Sequence, residues 1–187
     1  MLAHLPNAIS FARIFLVLPT AWLLWSGSYV QALVLMSIAG ASDAVDGWLA
    51  RRLNSVSELG AALDPVADKL LVAAMFIIFT IQGHLPLWLA LIVLGRDLII
   101  FGGAVIYRLL FGDIELNPTV ISKANTAVQI AALLLLLLSL CQFGMISDLA
   151  AELVEPYCFV LLALLGIGSG IDYVFTWGAR ALRRVRG

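Results

Sequence analysis

Long apolar runs constrain the fold of this chain more than any other feature of its sequence. A transmembrane helix needs about 20 predominantly apolar residues. Only 12% of the 187 residues are charged and 63% are hydrophobic, which leaves too little polar surface for a soluble domain. The sequence therefore predicts an all-α integral membrane protein, one domain over residues 1–187, with six transmembrane helices at roughly 8–26, 30–50, 61–82, 86–110, 119–143 and 154–177.

The basic residues of the predicted connections lie on one side only. The connections at 25–29 and 82–87 contain no Lys or Arg, and the one at 144–155 contains only acidic side chains. The other side holds Arg51, Arg52, Arg108, Arg180, Arg183, Arg184 and Arg186. Because Lys and Arg concentrate in cytoplasmic loops, we predict that both termini lie on the cytoplasmic side of a cytoplasmic (inner) membrane. We expect no nucleic acid partner.

Four aspartates stand out in this apolar background. Asp43 and Asp46 are three residues apart near the end of the second predicted helix, and Asp64 and Asp68 are four apart in the third. Residues at these spacings share one face of a helix, and a short polar loop between antiparallel helices brings the two pairs together. Clustered carboxylates near hydrocarbon need compensating positive charge. Carboxylate oxygens suit Mg²⁺, Mn²⁺ or Ca²⁺, and the absence of His and Cys among them argues against zinc.

Two other readings of the aspartates compete with a metal site. A solvated helix–loop–helix edge explains one carboxylate better than four at these spacings. Carboxylates in membranes also mark ion or proton pathways, so an ion-coupled transporter is the non-enzymatic alternative. Transporters hold their sites near the bilayer midplane, whereas this cluster lies toward the predicted cytoplasmic end.

The spacing of the aspartates resembles the signature of the CDP-alcohol phosphatidyltransferases, D-x2-D-G-x2-A-R-x8-G-x3-D-x3-D. The sequence matches it at all eight positions: Asp43, Asp46, Gly47, Ala50, Arg51, Gly60, Asp64 and Asp68. The six-helix plan is similar to the family over the rest of the chain. The resemblance implies a reaction in which a CDP-linked lipid, usually CDP-diacylglycerol, donates its phosphatidyl group to an alcohol and CMP leaves. It also implies a homodimer.

The resemblance also implies roles for the matching residues. Asp43, Asp46 and Asp64 would be mainly metal ligands, and Asp68 would bind a second metal ion and act as the general base, with two Mg²⁺ or Mn²⁺ ions per site. Residues of the CDP site would be Gly47, Ala50, Gly60, Arg51 and Asn7. For Asn7, a helix N-cap is an equally good interpretation.

Two basic residues inside the apolar helices are candidates for the acceptor site. Arg96 interrupts the fourth predicted helix, and Lys123 lies near the start of the fifth. Such charges are functional candidates by default. The alternative for Arg96 is an internal ion pair, either with Asp97 or with an aspartate of the cluster, and the alternative for Lys123 is that its side chain snorkels to the membrane interface.

The sequences around Arg96 and Lys123 resemble the branch of the family that makes cardiolipin from phosphatidylglycerol. The expected acceptor is therefore phosphatidylglycerol. The alternative is glycerol 3-phosphate, which would give phosphatidylglycerophosphate.

Overall fold

The structure, a computed structural model, contains helices joined by short turns in the part of the chain that it describes. That part comprises residues 5–38, 58–111 and 120–186. Its helices are α1 (Leu5–Trp25), α2 (Tyr29–Ile38), α3 (Glu58–Ile81), α4 (Leu87–Phe111), α5 (Val120–Leu140), α6 (Met145–Leu153) and α7 (Phe159–Arg186). The prediction of an all-α protein is confirmed for these residues.

Three of these helices contain stretches that are long and apolar enough to cross a membrane. They are Leu87–Tyr107 in α4, Ile121–Leu140 in α5 and Phe159–Thr176 in α7. Shorter apolar helical stretches occupy Phe15–Trp25, Tyr29–Ile38 and Lys69–Ile81. The chain is an integral membrane protein, and six spans remain a prediction.

The core forms where α3 packs against α1, while α4 and α5 both pack against α7. On α3, Val72, Met75, Phe76 and Phe79 are buried at helical spacing. Many large apolar side chains on the outer faces of the helices are exposed, among them Trp22, Leu98 and Phe175. Lipid is as apolar as these side chains, so a membrane protein exposes them without the penalty that water would impose.

The seam between α4 and α7 depends on small residues. A methyl group at Gly166 would lie 3.0 Å from Ile92 Cγ2, and one at Gly103 would lie 3.2 Å from the Tyr173 ring. The Tyr173 hydroxyl donates to the Ile100 carbonyl across this seam at 3.0 Å. Glycine therefore lets the two helices approach closely, as small residues do in many membrane proteins.

The segment after α5, which the sequence predicts to be a connection between two spans, contains a helix of its own. It contains α6, which Ser147 ties to α5 by donating to the Leu138 carbonyl at 2.7 Å. A five-residue helical segment, Val154–Cys158, then leads into α7 and contains Glu155 in an extended conformation (φ −108°, ψ 120°). Proline disfavours the helical conformation of the residue before it, so Pro156 accounts for this kink.

The start of α3 also differs from its predicted position at 61, because the helix begins at Glu58. Pro65 therefore lies inside the helix between two motif aspartates. Proline has no N–H, so the carbonyl of residue 61 lacks its usual helical donor.

Candidate functional site

The signature motif lies partly inside the described part of the chain. Gly60, Asp64 and Asp68 belong to α3, and Asn7 belongs to α1. Asp43, Asp46, Gly47, Ala50 and Arg51 fall outside the described residues. Within residues 5–38, 58–111 and 120–186, His, Cys, Asp and Glu form no group of three that could hold a metal ion. The predicted metal and CDP sites therefore remain predictions.

The register of α3 relates the motif to the core. Position 68 precedes buried Val72 by four residues, and position 64 precedes it by eight. Asp64 and Asp68 therefore lie in the turns of α3 that precede this buried residue, toward the N-terminal end of the helix.

Lys69, the residue after Asp68, forms an ion pair with α4. Its Nζ donates to Asp97 Oδ2 at 2.6 Å, and 43% of the Lys69 side chain is exposed. The second oxygen of the same carboxylate, Asp97 Oδ1, accepts from Arg96 Nη1 at 2.7 Å. One carboxylate therefore holds two cations that come from different helices.

Arg96 is buried and connects three helices. Its side chain is 5% exposed. Its Nη2 donates to Ser122 on α5 at 2.6 Å and to Ser169 on α7, and its Nε donates to Ser169 at 3.2 Å. Since a guanidinium has five N–H donors in a fixed fork, bonds to Asp97 and the two serines engage four of them. The internal pair with Asp97 that the sequence offered as an alternative is present.

Lys123 lies in a different environment from Arg96. It follows Ser122 on α5 but is exposed, and none of the hydrogen bonds and ion pairs among the described residues involves it. The two predicted acceptor residues therefore do not form one cluster. Lys123 is free to reach an anionic headgroup, whereas Arg96 is held inside the helix bundle.

Two buried amide side chains, Asn125 and Gln129, continue the polar face of α5 that begins at Ser122. Ser122, Asn125 and Gln129 follow one another at spacings of three and four, so they share a helix face. Asn125 and Gln129 are fully buried, and their amide nitrogens and oxygens have no hydrogen-bond partner within the described part of the chain. The sequence showed these polar residues in an apolar helix, but not that they point inward.

Comparisons with known proteins agree with the signature. The model of the CDP-alcohol phosphatidyltransferase family matches residues 3–176. A cardiolipin synthase (CMP-forming) from Rattus norvegicus is 35% identical over 142 residues, which is 67% of this chain and 47% of the relative. A CDP-diacylglycerol–glycerol-3-phosphate 3-phosphatidyltransferase from Bacillus subtilis is 32% identical over 166 residues, which is 80% of this chain and 84% of the relative.

The family match covers nearly the whole chain. The chain belongs to the CDP-alcohol phosphatidyltransferase family. Members of this family generally use divalent metal ions. The chain spans about half the length of the rat cardiolipin synthase and most of the length of the Bacillus relative.

Proposed function

We propose that the protein is a phosphatidyltransferase that moves the phosphatidyl group of CDP-diacylglycerol to phosphatidylglycerol, forming cardiolipin and releasing CMP. The observation that carries this proposal is the family match over residues 3–176, which contains the complete eight-position signature. The rat relative, named as a CMP-forming cardiolipin synthase, supports this acceptor.

The carboxylates of the motif fit a divalent metal centre. All four are aspartates, and the sequence between residues 43 and 68 contains no His or Cys. Such an oxygen-only set suits Mg²⁺ or Mn²⁺. Bound there, two such ions would supply positive charge against the diphosphate. We assign Asp43, Asp46, Asp64 and Asp68 as ligands.

Asp68 has a second role, and the other residues of the motif act on the substrates together with Asn7. Asp68 accepts the proton of the acceptor hydroxyl as that oxygen attacks phosphorus. Arg51 pairs with the diphosphate, whose oxygens match the planar guanidinium. Gly47, Ala50 and Gly60 leave room for cytidine and ribose, and Asn7 contacts the nucleotide from α1.

The acceptor site would lie beside α4 and α5. Exposed Lys123 would bind the phosphate of the incoming lipid. Arg96 would fix the wall of the site through Ser122 and Ser169, with at most one N–H left for a ligand. Cations suit an acceptor that brings its own phosphodiester into the membrane.

Glycerol 3-phosphate is the second candidate acceptor. The Bacillus relative, named for that acceptor, is covered over 84% of its length, far more than the rat cardiolipin synthase. Enzymes that use either acceptor would share the signature motif. The chemistry of transfer would therefore be the same, and only the acceptor pocket would differ.

The proposal also includes the number of membrane spans, the oligomeric state and the orientation in the membrane. We propose one catalytic domain with six spans, arranged as a homodimer. The Asp motif and both termini would face the cytoplasm, because the basic residues lie on that side.

The first experiment uses the purified full chain in detergent with CDP-diacylglycerol and Mg²⁺ or Mn²⁺. Phosphatidylglycerol and glycerol 3-phosphate are offered in separate reactions, with CMP release and lipid mass spectrometry as readouts. Cardiolipin from the first reaction alone supports the main proposal, and phosphatidylglycerophosphate from the second alone supports the other acceptor. Ion flux in vesicles without CMP release would favour a transporter.

The variant Asp64→Asn tests the assignment of the motif. It removes a charged ligand while keeping the size of the side chain, so we expect CMP release to fall below detection with unchanged helicity. Asp148→Asn makes the same change at an exposed aspartate of α6 and should leave activity unchanged. Full activity of Asp64→Asn would contradict the assignment.

A further inference from the structure

The side chain of Lys69 is partly exposed, and its charged end is held in place by an ion pair. It lies one residue after Asp68, and 43% of its side chain is exposed. An ordinary exposed lysine has a mobile side chain, and pairing it with a carboxylate contributes little to stability. Lys69 differs because its partner Asp97 is only 16% exposed and is itself fixed by a buried arginine.

Arg96, Asp97 and Lys69 have different roles in this group of contacts. Arg96, anchored by Ser122 and Ser169, donates to one oxygen of Asp97, and Lys69 donates to the other. Most N–H donors of Arg96 form hydrogen bonds within the protein, and its side chain is nearly inaccessible to a ligand. Lys69 has three N–H donors and uses one of them on Asp97, so it is the accessible cation of the three-residue group.

The charges of the group do not cancel. Two cations share one carboxylate, which leaves one positive charge in excess, and that excess lies beside the helix turn that carries Asp68. A positive charge in a membrane protein is stabilised by a nearby anion. The motif aspartates on the preceding turns of α3 bring negative charge to this end of the helix, and the phosphate oxygens of the lipid substrates are a second source of it.

We propose that Lys69 binds a phosphate oxygen of the reacting lipids, and that Asp97 and Arg96 are positioning residues which hold its ammonium group in place. This inference rests on the proposed phosphatidyltransferase function. The phosphate belongs either to the donor diphosphate or to the acceptor, and both present the same oxygens to an ammonium group.

Steady-state kinetics of the purified full chain test the contact. Lys69→Met removes the charge but keeps the apolar stem, and Asp97 retains its bond to Arg96, so the variant should fold. We expect kcat/KM to fall about ten- to a hundredfold, the usual range for a lost hydrogen bond to a charged group. Lys69→Arg should recover most of the loss.

The two sources of phosphate are separated by titrating each substrate. A KM increase for CDP-diacylglycerol alone assigns Lys69 to the donor, and an increase for the acceptor alone assigns it to the acceptor. A lower kcat with both KM values unchanged, recovered by Lys69→Arg, assigns it to the transferred phosphate. Lys69→Met with kcat/KM within twofold of the original chain would overturn the inference.

A double-mutant cycle tests the positioning role. Asp97→Asn alone should lower kcat/KM about tenfold, because Lys69 loses its charged partner. In the Lys69→Met background, the same change should have less than a twofold effect, because the ammonium group is already absent. Fully additive effects would overturn the positioning role.

Failure of the proposed function gives a different result from failure of this inference. An unsubstituted chain that is folded but releases no CMP with either acceptor would contradict the phosphatidyltransferase. An active chain whose kcat/KM does not change on substitution of Lys69 would contradict only the proposed role of Lys69.

Discussion

Among the described residues, two polar networks that join helices differ in their chemistry. At one, neutral groups join the turn between α1 and α2 to the turn between α3 and α4. The Gln82 amide donates to the Leu24 carbonyl at 2.9 Å, and the Tyr29 hydroxyl lies 3.1 Å from His84 Nε2. At the other, Lys69, Asp97 and Arg96 join α3 to α4 through charges.

The neutral network closes two similar turns. Helices α1 and α3 are each followed, two residues after their last helical residue, by a glycine with positive φ, Gly27 or Gly83. The N–H of the residue after that glycine donates to a carbonyl in the last helical turn. This arrangement satisfies the free carbonyls at a helix end. Side-chain bonds then fasten one turn to the other, which is a purely structural task.

The charged network is a more expensive way to join helices. Each buried charge loses its hydration, and the ion pair recovers that loss only with good geometry and further hydrogen bonds. Since neutral groups achieve the same connection elsewhere in this bundle, connection alone does not account for the charges. The proposed contact of Lys69 with substrate phosphate would account for the charges of this network.

The largest effect on stability should come from Arg96→Met. The change removes four hydrogen bonds, and among the described residues it leaves Asp97 with the half-exposed Lys69 as its one remaining partner. Breaking a buried ion pair costs roughly 3–5 kcal/mol, so we expect a loss of about 3 kcal/mol or more. The measurement is thermal unfolding in detergent followed by circular dichroism.

The control for this change is Arg96→Lys, which keeps the charge but not the fork that reaches two serines. Its stability should lie between those of the methionine variant and the unsubstituted chain. Equal stability of all three proteins would show that the charged network does not hold the helices together.

The sequence predicted the helices better than it predicted the contacts of the site. Segments 86–110 and 119–143 correspond to α4 and α5, because a membrane requires long apolar runs that are visible in any reading of the chain. The short helix α6 was missed because its nine residues include two acidic ones and are too few to span.

The contacts of Arg96 show why the site was only partly predictable. Asp97 is its neighbour in sequence, so their pair was an open alternative from the start. Ser169 lies 73 residues away on a helix whose rotation no local pattern fixes. Lys69 follows Asp68 directly in the sequence, but its bond to Asp97 depends on how α3 and α4 pack.

A smaller effect on stability should come from a substitution in the seam between α4 and α7. This substitution tests packing without changing any charge. Gly166→Ala would bring a methyl group to 3.0 Å from Ile92 Cγ2, and a β-branched side chain has little freedom to move. Overpacking of this kind costs about 1–3 kcal/mol, and we expect the lower part of that range. Thermal unfolding in detergent measures it.

A matched control for the seam lies two residues along the same helix. A methyl group at Gly168 has no atom within 4 Å, so Gly168→Ala should be neutral or slightly stabilising. Equal losses at both glycines would mean that helix propensity, and not the close approach to Ile92, governs this seam.

The smallest effect should come from Tyr29→Phe, which removes a hydroxyl from the neutral network. Its contact to His84 is 3.1 Å and its contact to Gln82 is 3.5 Å, at the limit for a hydrogen bond. The loss should be about 0.5–1.5 kcal/mol, the net value of one hydrogen bond, with CMP release unchanged. Tyr157→Phe, at an exposed tyrosine, is the control and should change neither quantity. If Tyr29→Phe slowed CMP release, or cost as much stability as Arg96→Met, the neutral network would not be only structural and the contrast between the two networks would fail.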